Sequence, residues 1–471
     1  MTFFINWLIR YWNNQIDIVS FKEYKKVKEE YLKAINNEVY INSLVKDGGV
    51  YSTRLNFIFL LLEKWLYRQA NVHEPSFKQA CRDHYEGRTA LIYRYLYNKE
   101  TGLFYDYDFV KNKQRDEISP LDQFFAFWLN LSTQVELAKP LLEKVDLNDP
   151  LSFVVFMGLR RLDLVNEANA VGNSIGYKVD EYNPSISTTT LPLVNYYGYE
   201  ESLKMIKEAG FDTYDCSMMS PNEFFTSNGY LENAKSLKAF ADSLGLKCNQ
   251  SHSIFPVWHK TFKKDEVDVR TGYTKRILKI SKILGAKNCI VHPINDFNEQ
   301  ENYVFFQEFL PIAREIDINI ATENMWNWEG ENASLAACSN HNNFKALVDL
   351  VNDDHFGACV DLGHAEMFGL ETSACKMIET LGDKVKCLHI HDNDQHNDRH
   401  TLPLTEKIDF DLILDSLARI NYQGDITFEA DAFIDRMPKE LHLSCLKLMH
   451  KVGLYLRSEL LIRRKAICLK R

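Results

Sequence analysis

Residues 378–394 read IETLGDKVKCLHIHDND, a pattern that predicts a helix, a glycine stop and a buried strand ending in polar residues. Glycine favours the left-handed position just past a helix end because it carries no Cβ atom. The same order recurs from residue 185 onward, where predicted helices stop at Gly210, Gly245 and Gly285, each ahead of a β-prone run. A repeated helix–strand unit of this kind indicates parallel strands joined by helical crossovers.

Eight β-prone runs follow one another in the second part of the chain. They are Ile186–Leu191, Thr213–Ser217, Lys247–Ser251, Cys289–Val291, Ile318–Thr322, Gly357–Val360, Cys387–Ile390 and Asp425–Phe428. Eight βα units in about 270 residues is the size of a (β/α)8 barrel. The sequence contains no G-x-G-x-x-G turn of the kind found in open nucleotide-binding sheets. We therefore predict the α/β fold class, with a (β/α)8 TIM barrel preceded by an all-α domain.

Charge divides the chain into three parts. Residues 1–180 carry 23 Lys and Arg against 23 Asp and Glu, residues 181–456 carry 26 against 41, and residues 457–471 carry 6 against 1. We predict domains with these boundaries: a helical domain, the barrel and a short basic tail with a solvated end. The net charge of −15 in residues 181–456 disfavours nucleic acid, whose binding depends on Lys and Arg that neutralise phosphates.

Composition and segment lengths exclude several classes of protein. Apolar residues make up 45% of the chain, but the longest apolar candidate, Phe57–Leu62, is far shorter than a membrane span. The N-terminus lacks a basic leader and a small-residue cleavage site, so we predict no signal peptide. The cysteines are scattered without a C-x-x-C pair, which favours reduced thiols. We expect a cytoplasmic protein with neither a membrane nor a nucleic-acid partner.

Polar side chains stand where the predicted strands end. Six of them, spaced by 40, 31, 38, 30 and 38 residues, are His252, His292, Glu323, Asp361, His391 and Glu429. Each gap corresponds to one βα unit. In a (β/α)8 barrel the C-terminal ends of all strands meet at one rim, where catalytic residues lie. We therefore expect these side chains to converge.

Four residues of this set form a candidate metal site. Glu323, Asp361, His391 and Glu429 supply hard oxygen and nitrogen donors. Carboxylates crowded beside an imidazole are costly together unless a cation neutralises them. The set predicts one divalent ion, Mn²⁺, Co²⁺, Mg²⁺ or Zn²⁺, without choosing among the four. Of His389 and His391, we expect His391 to be the ligand and His389 to point away.

Residues 185–455 resemble the sugar phosphate isomerase/epimerase superfamily, the xylose-isomerase-like barrels. The motifs that carry the resemblance are Glu323-Asn324-Met325, Asp361-Leu362-Gly363-His364-Ala365, His389-Ile390-His391-Asp392-Asn393-Asp394 and the segment from Ile408-Asp409-Phe410 to Glu429. One departure is visible: Leu404-Thr405-Glu406-Lys407 stands where the family has a Gly-rich loop. The resemblance implies that Glu323, Asp361, His391 and Glu429 hold one divalent cation.

The resemblance also implies a reaction. A ketose or a related sugar or polyol is isomerised or epimerised by proton transfer through a metal-stabilised enediolate. Glu323 and Glu429 would act as the catalytic pair that removes and returns the proton. The residues expected to contact this small-molecule sugar are His252, His292, Asn324, Trp326, His364, Asp398 and His400.

Two other functions stay open. The chain can supply analogues of the nine ligands that hold three zinc ions in endonuclease IV barrels, and Asp398-Arg399-His400 resembles one step of that family. This favours a multi-zinc phosphoesterase, although the acidic barrel and the absence of a basic groove argue against DNA. The third candidate is a non-catalytic, carbohydrate-related fusion protein.

Residues 1–180 read as amphipathic helices, and about residues 20–145 resemble the trehalase family of (α/α)6 toroid glycosidases. The clearest match is LYNKETGLFYDYD at residues 96–108. Val50 stands where the family has its acid, and the region is too short for six helical hairpins. We expect a partial toroid-like domain that does not hydrolyse sugars, with Asp106 and Asp108 shaping a loop. A partial toroid leaves an apolar face that must be covered, and a homo-oligomer is one way to cover it.

Overall fold

The computed structural model describes residues 2–14, 20–35, 44–47, 49–176, 182–330 and 332–464. The chain divides into two compact units, Met1–Glu181 with Ser458–Arg471, and Tyr182–Arg457. No helix within the described ranges combines the length and the apolar character that crossing a membrane requires.

The second unit is built on eight parallel strands. They are β1 (Ile186–Thr189), β2 (Thr213–Ser217), β3 (Lys247–His252), β4 (Asn288–Ile290), β5 (Asn319–Glu323), β6 (Phe356–Asp361), β7 (Val385–His389) and β8 (Ile426–Phe428). They pair in the order β7-β6-β5-β4-β3-β2-β1-β8, and a parallel bridge between Ile390 and Phe428 brings β7 beside β8. The predicted α/β fold class with a (β/α)8 TIM barrel is confirmed.

Helices alternate with these strands along the chain. They are Leu191–Ala209, Glu223–Thr226, Tyr230–Ser243, Lys264–Leu284, Glu299–Phe306, Leu310–Ile316, His341–Val351, Leu362–Ala365, Ala374–Leu381, Phe410–Arg419, Asp431–Asp435 and His442–Arg463. Gly210 (φ 104°) and Gly285 (φ 92°) end two of them in the left-handed conformation, as the sequence predicts. A small antiparallel hairpin, Asn327–Glu329 with Asn332–Ser334, follows β5.

Burial on both faces of the strands explains why their apolar runs are nearly continuous. All six residues of β6 are buried. Ile290, Ala321, Cys359 and Cys387, one from each strand from β4 to β7, form a buried cluster. Polar residues therefore collect where the strands end, and this places the candidate site.

The first unit is mainly helical. Its helices are Thr2–Asn14, Phe21–Ile35, Thr53–His73, Lys78–Tyr95, Pro120–Trp128, Val135–Leu142, Phe153–Arg161 and Val165–Ser174, with two-residue strands at Lys46–Asp47, Val50–Tyr51, Tyr107–Asp108 and Lys113–Gln114. Ser52 caps the third helix by accepting a hydrogen bond from the Leu55 N–H. Fully buried Phe57, Phe59 and Phe125 belong to an apolar core that runs through this unit.

Two aspartates of the trehalase-like stretch hold backbone in place. Asp106 Oδ1 accepts a hydrogen bond from the Thr53 N–H at 2.8 Å. Asp108 Oδ1 accepts hydrogen bonds from the N–H groups of Val110 (3.1 Å) and Lys111 (2.9 Å). Both therefore have the loop-shaping contacts that the sequence predicts for them.

The basic tail predicted from residue 457 differs from the structure in its first part. Helix His442–Arg463 continues through it, and Arg457 and Arg463 are buried. The helix persists because Leu456, Leu460 and Leu461 continue its apolar face. The remaining predicted tail, residues 465–471, lies outside the described residues.

Glu459 is a buried carboxylate surrounded by cations of the first unit. It is 2% exposed, and its Oε1 lies 2.5 Å from Arg161 Nη2 and 3.3 Å from Lys64 Nζ, while Arg463 pairs with Oε2. Burial raises the pKa of this carboxyl, but Arg161, Lys64 and Arg463 outweigh burial and hold the pKa well below its usual range.

Replacing this carboxylate, Glu459→Gln, is expected to lower the free energy of unfolding at pH 7 by about 3 kcal/mol, because buried cations lose their counter-charge. A depressed folded pKa stabilises above the unfolded pKa of about 4.3, and the gain is lost as pH falls through the folded value. Urea midpoints of wild type and variant should therefore differ at pH 7 and converge in acid. The control Glu86→Gln removes a carboxylate that is 59% exposed and should change nothing. Equal midpoints for Glu459→Gln and wild type at pH 7 would contradict the prediction.

Candidate active site

The functional side chains stand at the C-terminal ends of β3 to β8. They are His252 (end of β3), His292 (after β4), Glu323 (end of β5), Asp361 (end of β6), His389 (end of β7), His391 (after β7) and Glu429 (after β8). Each is at most 6% exposed. The structure thus brings together the six residues that the spacing of βα units singles out, and adds His389.

Three carboxylates and an imidazole form the centre of the site. Glu323, Asp361, His389 and Glu429 each offer a donor atom, and these atoms all lie within 4.8 Å of one another. His389 Nδ1 is 3.0 Å from Glu323 Oε2 and 3.1 Å from Glu429 Oε2. Burial raises the pKa of Glu429, but His389 and His400 outweigh burial and hold that pKa well below its usual range. The Glu429 carboxylate is therefore ionised at neutral pH.

The expectation that His389 points away is not met. Residues two apart on a strand project from the same face, so His389 and His391 both reach the site. His391 lies on its outer side, with Nε2 3.0 Å from Asp361 Oδ1 and 3.7 Å from Asp398 Oδ1. Asp361 therefore joins the two histidines, and the predicted ligand His391 belongs to a neighbouring group of donors.

That neighbouring group consists of His364, His391, Asp398 and His400. Asp398 Oδ2 is 3.1 Å from the Nε2 atoms of both His364 and His400. Burial lowers the pKa of His364, but Asp361 and Asp398 outweigh it and raise that pKa to about 10. The carboxylates of Asp361 and Asp398 therefore favour the protonated ring of His364. His364, Asp398 and His400, which were predicted to contact substrate, therefore lie beside the central carboxylates together with the predicted metal ligand His391.

A third group combines two imidazoles with Glu323. His252 Nε2 and His292 Nε2 are 2.8 Å apart, and Glu323 Oε2 is 3.5 Å from the His292 nitrogen. Burial and the neighbouring His252 lower the pKa of His292 well below its ordinary value. A neutral imidazole directed at a second imidazole and a carboxylate is suited to metal ligation.

The donors of the central cluster fit a divalent cation. Glu323 Oε2 and Asp361 Oδ2 are buried and form no hydrogen bond within the part of the chain that the structure describes. Buried carboxylate oxygens normally have a partner, because an unpaired one carries the full cost of desolvation. Carboxylate and imidazole donors together match Mn²⁺, Co²⁺, Mg²⁺ or Zn²⁺.

Two predicted sugar contacts have structural partners. Asn324 spans the backbone of Asp361: its Nδ2 donates to the Asp361 carbonyl, and its Oδ1 accepts from the Asp361 N–H, both at 2.8 Å. This amide therefore ties the end of β5 to the end of β6. Trp326 packs with Trp328, the ring centres 4.7 Å apart, and its ring centre is 6.4 Å from that of His364.

Asp392 was not predicted from the sequence. Its carboxylate accepts hydrogen bonds from the N–H groups of Thr405 (3.1 Å), Glu406 (2.9 Å) and Ile408 (3.1 Å). This single side chain holds the segment that replaces the family's Gly-rich loop. The available signal was a charged residue directly after a buried strand.

Asp215, inside β2, was also missed. It is 1% exposed, and its Oδ2 lies 3.5 Å from His389 Nε2 and accepts a hydrogen bond from Gln250 Nε2 at 3.0 Å. A carboxylate on the far nitrogen of an imidazole fixes the orientation of the ring. The signal available in the sequence was an acidic residue in the middle of an otherwise buried strand.

Family comparisons agree with the fold. Residues 203–442, about half of the chain, match the family described as xylose isomerase-like TIM barrel, and the chain belongs to that family. Residues 52–157 match the trehalase family. Both resemblances predicted from the sequence are confirmed.

Similar proteins cover the barrel to different extents. An uncharacterized protein of Sinorhizobium fredii is 26% identical over 260 residues, which are 49% of this chain and 81% of the relative. An uncharacterized protein of Methanocaldococcus jannaschii is 28% identical over 131 residues, which are 27% of this chain and 42% of the relative. The solved structure of D-psicose 3-epimerase from Clostridium cellulolyticum H10 is 14% identical, with a TM-score of 0.47, and covers 58% of this chain and 99% of that one.

The contact between Asp215 and His389 generates a prediction. Asp215→Asn should weaken the binding of a divalent ion at least tenfold, as losses of orienting partners behind metal-ligating imidazoles do. Titration of the protein with Mn²⁺ by calorimetry measures the effect. Asp242→Asn, which removes an exposed carboxylate paired with Lys238, is the control and should bind normally. Unchanged Mn²⁺ affinity in Asp215→Asn would exclude this positioning role.

Proposed function

We propose that this protein is a divalent-metal-dependent isomerase or epimerase that acts on a ketose or a related sugar or polyol. The observation that carries the proposal is the buried cluster of Glu323, Asp361, His389 and Glu429 at the C-terminal ends of barrel strands. Membership of the xylose isomerase-like family supports it. The site faces the end of the barrel where catalysis takes place in this fold.

The cluster would hold the ion through Glu323, Asp361, Glu429 and an imidazole of His389 or His391. When bound, the ion supplies a Lewis acid for a carbonyl and its neighbouring hydroxyl. We assign removal of the proton beside the carbonyl, and its return, to Glu323 and Glu429. The two carboxylates approach His389 Nδ1 from different strands, at 3.0 and 3.1 Å. Two carboxylates so placed allow one to act as base and the other as acid.

His364 has a separate role in the proposal. Its Nε2 lies 3.1 Å from Asp398 Oδ2, and this carboxylate favours the protonated ring. An imidazolium at the edge of the cluster would stabilise negative charge that develops on a substrate oxygen. Asp398 holds the ring, because its Oδ2 lies 3.1 Å from His364 Nε2, and the same oxygen lies 3.1 Å from His400 Nε2.

Loss of one carboxylate tests the proton-transfer role. Glu429→Gln should reduce the exchange of ketose C–H hydrogen with D₂O by a factor of about 10² to 10⁴, the usual contribution of a general acid or base. Exchange is followed by NMR on D-fructose and other ketoses with Mn²⁺ present. The control is Glu232→Gln, which removes an exposed carboxylate paired with Lys235 and should retain full exchange. Wild-type exchange rates in Glu429→Gln would remove this residue from the mechanism.

A multi-metal phosphoesterase is the second candidate, and one observation favours it. Three groups of donors adjoin within the described residues: His252–His292–Glu323, Glu323–Asp361–His389–Glu429 and His364–His391–Asp398–His400. Such adjoining groups suit the several ions of a phosphoester hydrolase. The net charge of −15 in residues 181–456 disfavours a polyanionic substrate.

Metal stoichiometry separates the candidates. For the isomerase we expect about one ion per chain by elemental analysis after reconstitution with Mn²⁺ or Zn²⁺, and none in the double variant Glu323→Ala with Glu429→Ala. Two or three zinc ions, with hydrolysis of bis(p-nitrophenyl) phosphate, would favour the phosphoesterase. If the protein neither binds metal nor exchanges ketose C–H hydrogen, the third candidate, a non-catalytic protein, is favoured. The same analysis of His389→Asn and His391→Asn identifies the ligating imidazole.

A further inference from the structure

A cavity of about 350 Å³ adjoins the candidate active site. It lies between the segment that follows β3, residues 255–260, and the segment that follows β4, residues 292–296. His292 lines this cavity and also belongs to the donor group with His252 and Glu323. None of the three central carboxylates lines it. The cavity therefore extends the site sideways from His292, whose Nε2 is 3.5 Å from Glu323 Oε2.

The cavity walls are held in place by buried polar contacts. Asn302, which is fully buried, binds both backbone groups of Ile294: its Oδ1 accepts from the N–H at 2.8 Å and its Nδ2 donates to the carbonyl at 3.1 Å. Arg270 donates to the Pro256 carbonyl at 2.9 Å. Asn295 Nδ2 donates to the Trp326 carbonyl at 3.3 Å and so links two rim segments. Such support indicates a cavity that is formed before a ligand binds.

The lining combines aromatic surface with a few polar groups. Phe255 packs on His292 with ring centres 4.4 Å apart, and Trp258 packs on Phe297 at 4.9 Å. Lys260 and Asp296 stand at the cavity as exposed groups of opposite charge. Small-molecule sites typically have this make-up, with apolar and aromatic walls and a small number of polar groups.

A sugar ring matches this chemistry, because it presents C–H groups on its faces and hydroxyls around its edge. An anionic ligand matches less well, since Asp296 offsets Lys260 and residues 181–456 carry a net charge of −15.

We propose that the cavity beside His292 binds a neutral glycosyl ring, so that the substrate is a ketose carrying a second sugar. The identity of the reacting half rests on the proposed isomerase function. The binding of the second ring rests on the cavity alone. Trp258 is the specificity-determining residue, since it is the tryptophan that lines the cavity and it does not belong to the groups of metal donors.

The test compares D-fructose with isomaltulose and lactulose, two ketose disaccharides whose C–H beside the carbonyl is unsubstituted. Binding is measured by calorimetry and reaction by hydrogen exchange with D₂O. We expect wild type to bind at least one disaccharide tenfold or more tightly than D-fructose.

Trp258→Ala should abolish this difference in affinity between disaccharide and D-fructose without changing D-fructose binding. Asn327→Trp, which fills the cavity from a half-buried position, should do the same. Tyr196→Ala, a 43% exposed aromatic elsewhere in the unit, is the control.

The outcomes separate the two proposals. Equal binding of D-fructose and both disaccharides, or equal weakening of all three in Trp258→Ala, would overturn the glycosyl site. If exchange occurs alongside either result, the isomerase function still stands. If exchange is absent with every sugar while a disaccharide binds tightly and in a Trp258-dependent way, the glycosyl site stands and the isomerase function fails. If Trp258→Ala does not fold, the disaccharide affinity of Asn327→Trp shows whether the cavity binds the second sugar ring.

Discussion

Three buried carboxylates share a space in which their charges repel one another, and much of the rim is arranged around this constraint. Glu323, Asp361 and Glu429 have donor atoms within 4.8 Å of one another and are almost fully buried. Interaction between unit charges grows as the local dielectric falls, so such a cluster needs compensating positive charge. The imidazoles of His389, His364 and His391 lie 3.0 to 3.6 Å from these carboxylates, and a divalent ion would complete the compensation.

Compensation requires that each side chain be held in one orientation. Asp215 faces the far nitrogen of His389, and Asn324 ties the backbone of Asp361 to β5. Asp398 connects His364 with His400 through one oxygen. The contacts come from residues far apart in sequence, and the parallel barrel brings them together. Precise placement of this kind is what catalytic and metal sites demand of a scaffold.

The fold could be predicted because its signals are local. Gly210 and Gly285 mark helix ends because they adopt the left-handed backbone conformation. The strands are recognised as buried because their sequences are rich in apolar and β-branched residues. The spacing of βα units also places Glu323, Asp361 and Glu429 at the rim. The partners of these residues depend instead on distances between strands. For this reason Asp215 was missed, and Asn324 received a substrate role although both ends of its amide bind backbone.

The helical half matches the trehalase family over residues 52–157, and its sequence predicts that it does not hydrolyse sugars. At the position of the trehalase acid, Val50 is 5% exposed and lies in a two-residue strand opposite Asp108. An apolar side chain cannot donate a proton to a glycosidic oxygen, and Asp108 binds the backbone of its own turn. Inverting glycosidases need two carboxyl groups that face the substrate. These contacts agree with the prediction of a non-hydrolytic domain, which stays a prediction.

The loop that follows Pro403 gains its shape from one carboxylate. The fully buried Asp392 carboxylate accepts hydrogen bonds from three backbone N–H groups, those of Thr405, Glu406 and Ile408. Backbone donors are the same for every residue except proline, so this anchor depends little on the side chains of the three donating residues. Leu404 differs, because its φ of 73° is a left-handed conformation that favours glycine. Single substitutions at Glu406 and Lys407 can therefore alter the surface beside the rim while the anchored main chain keeps its course.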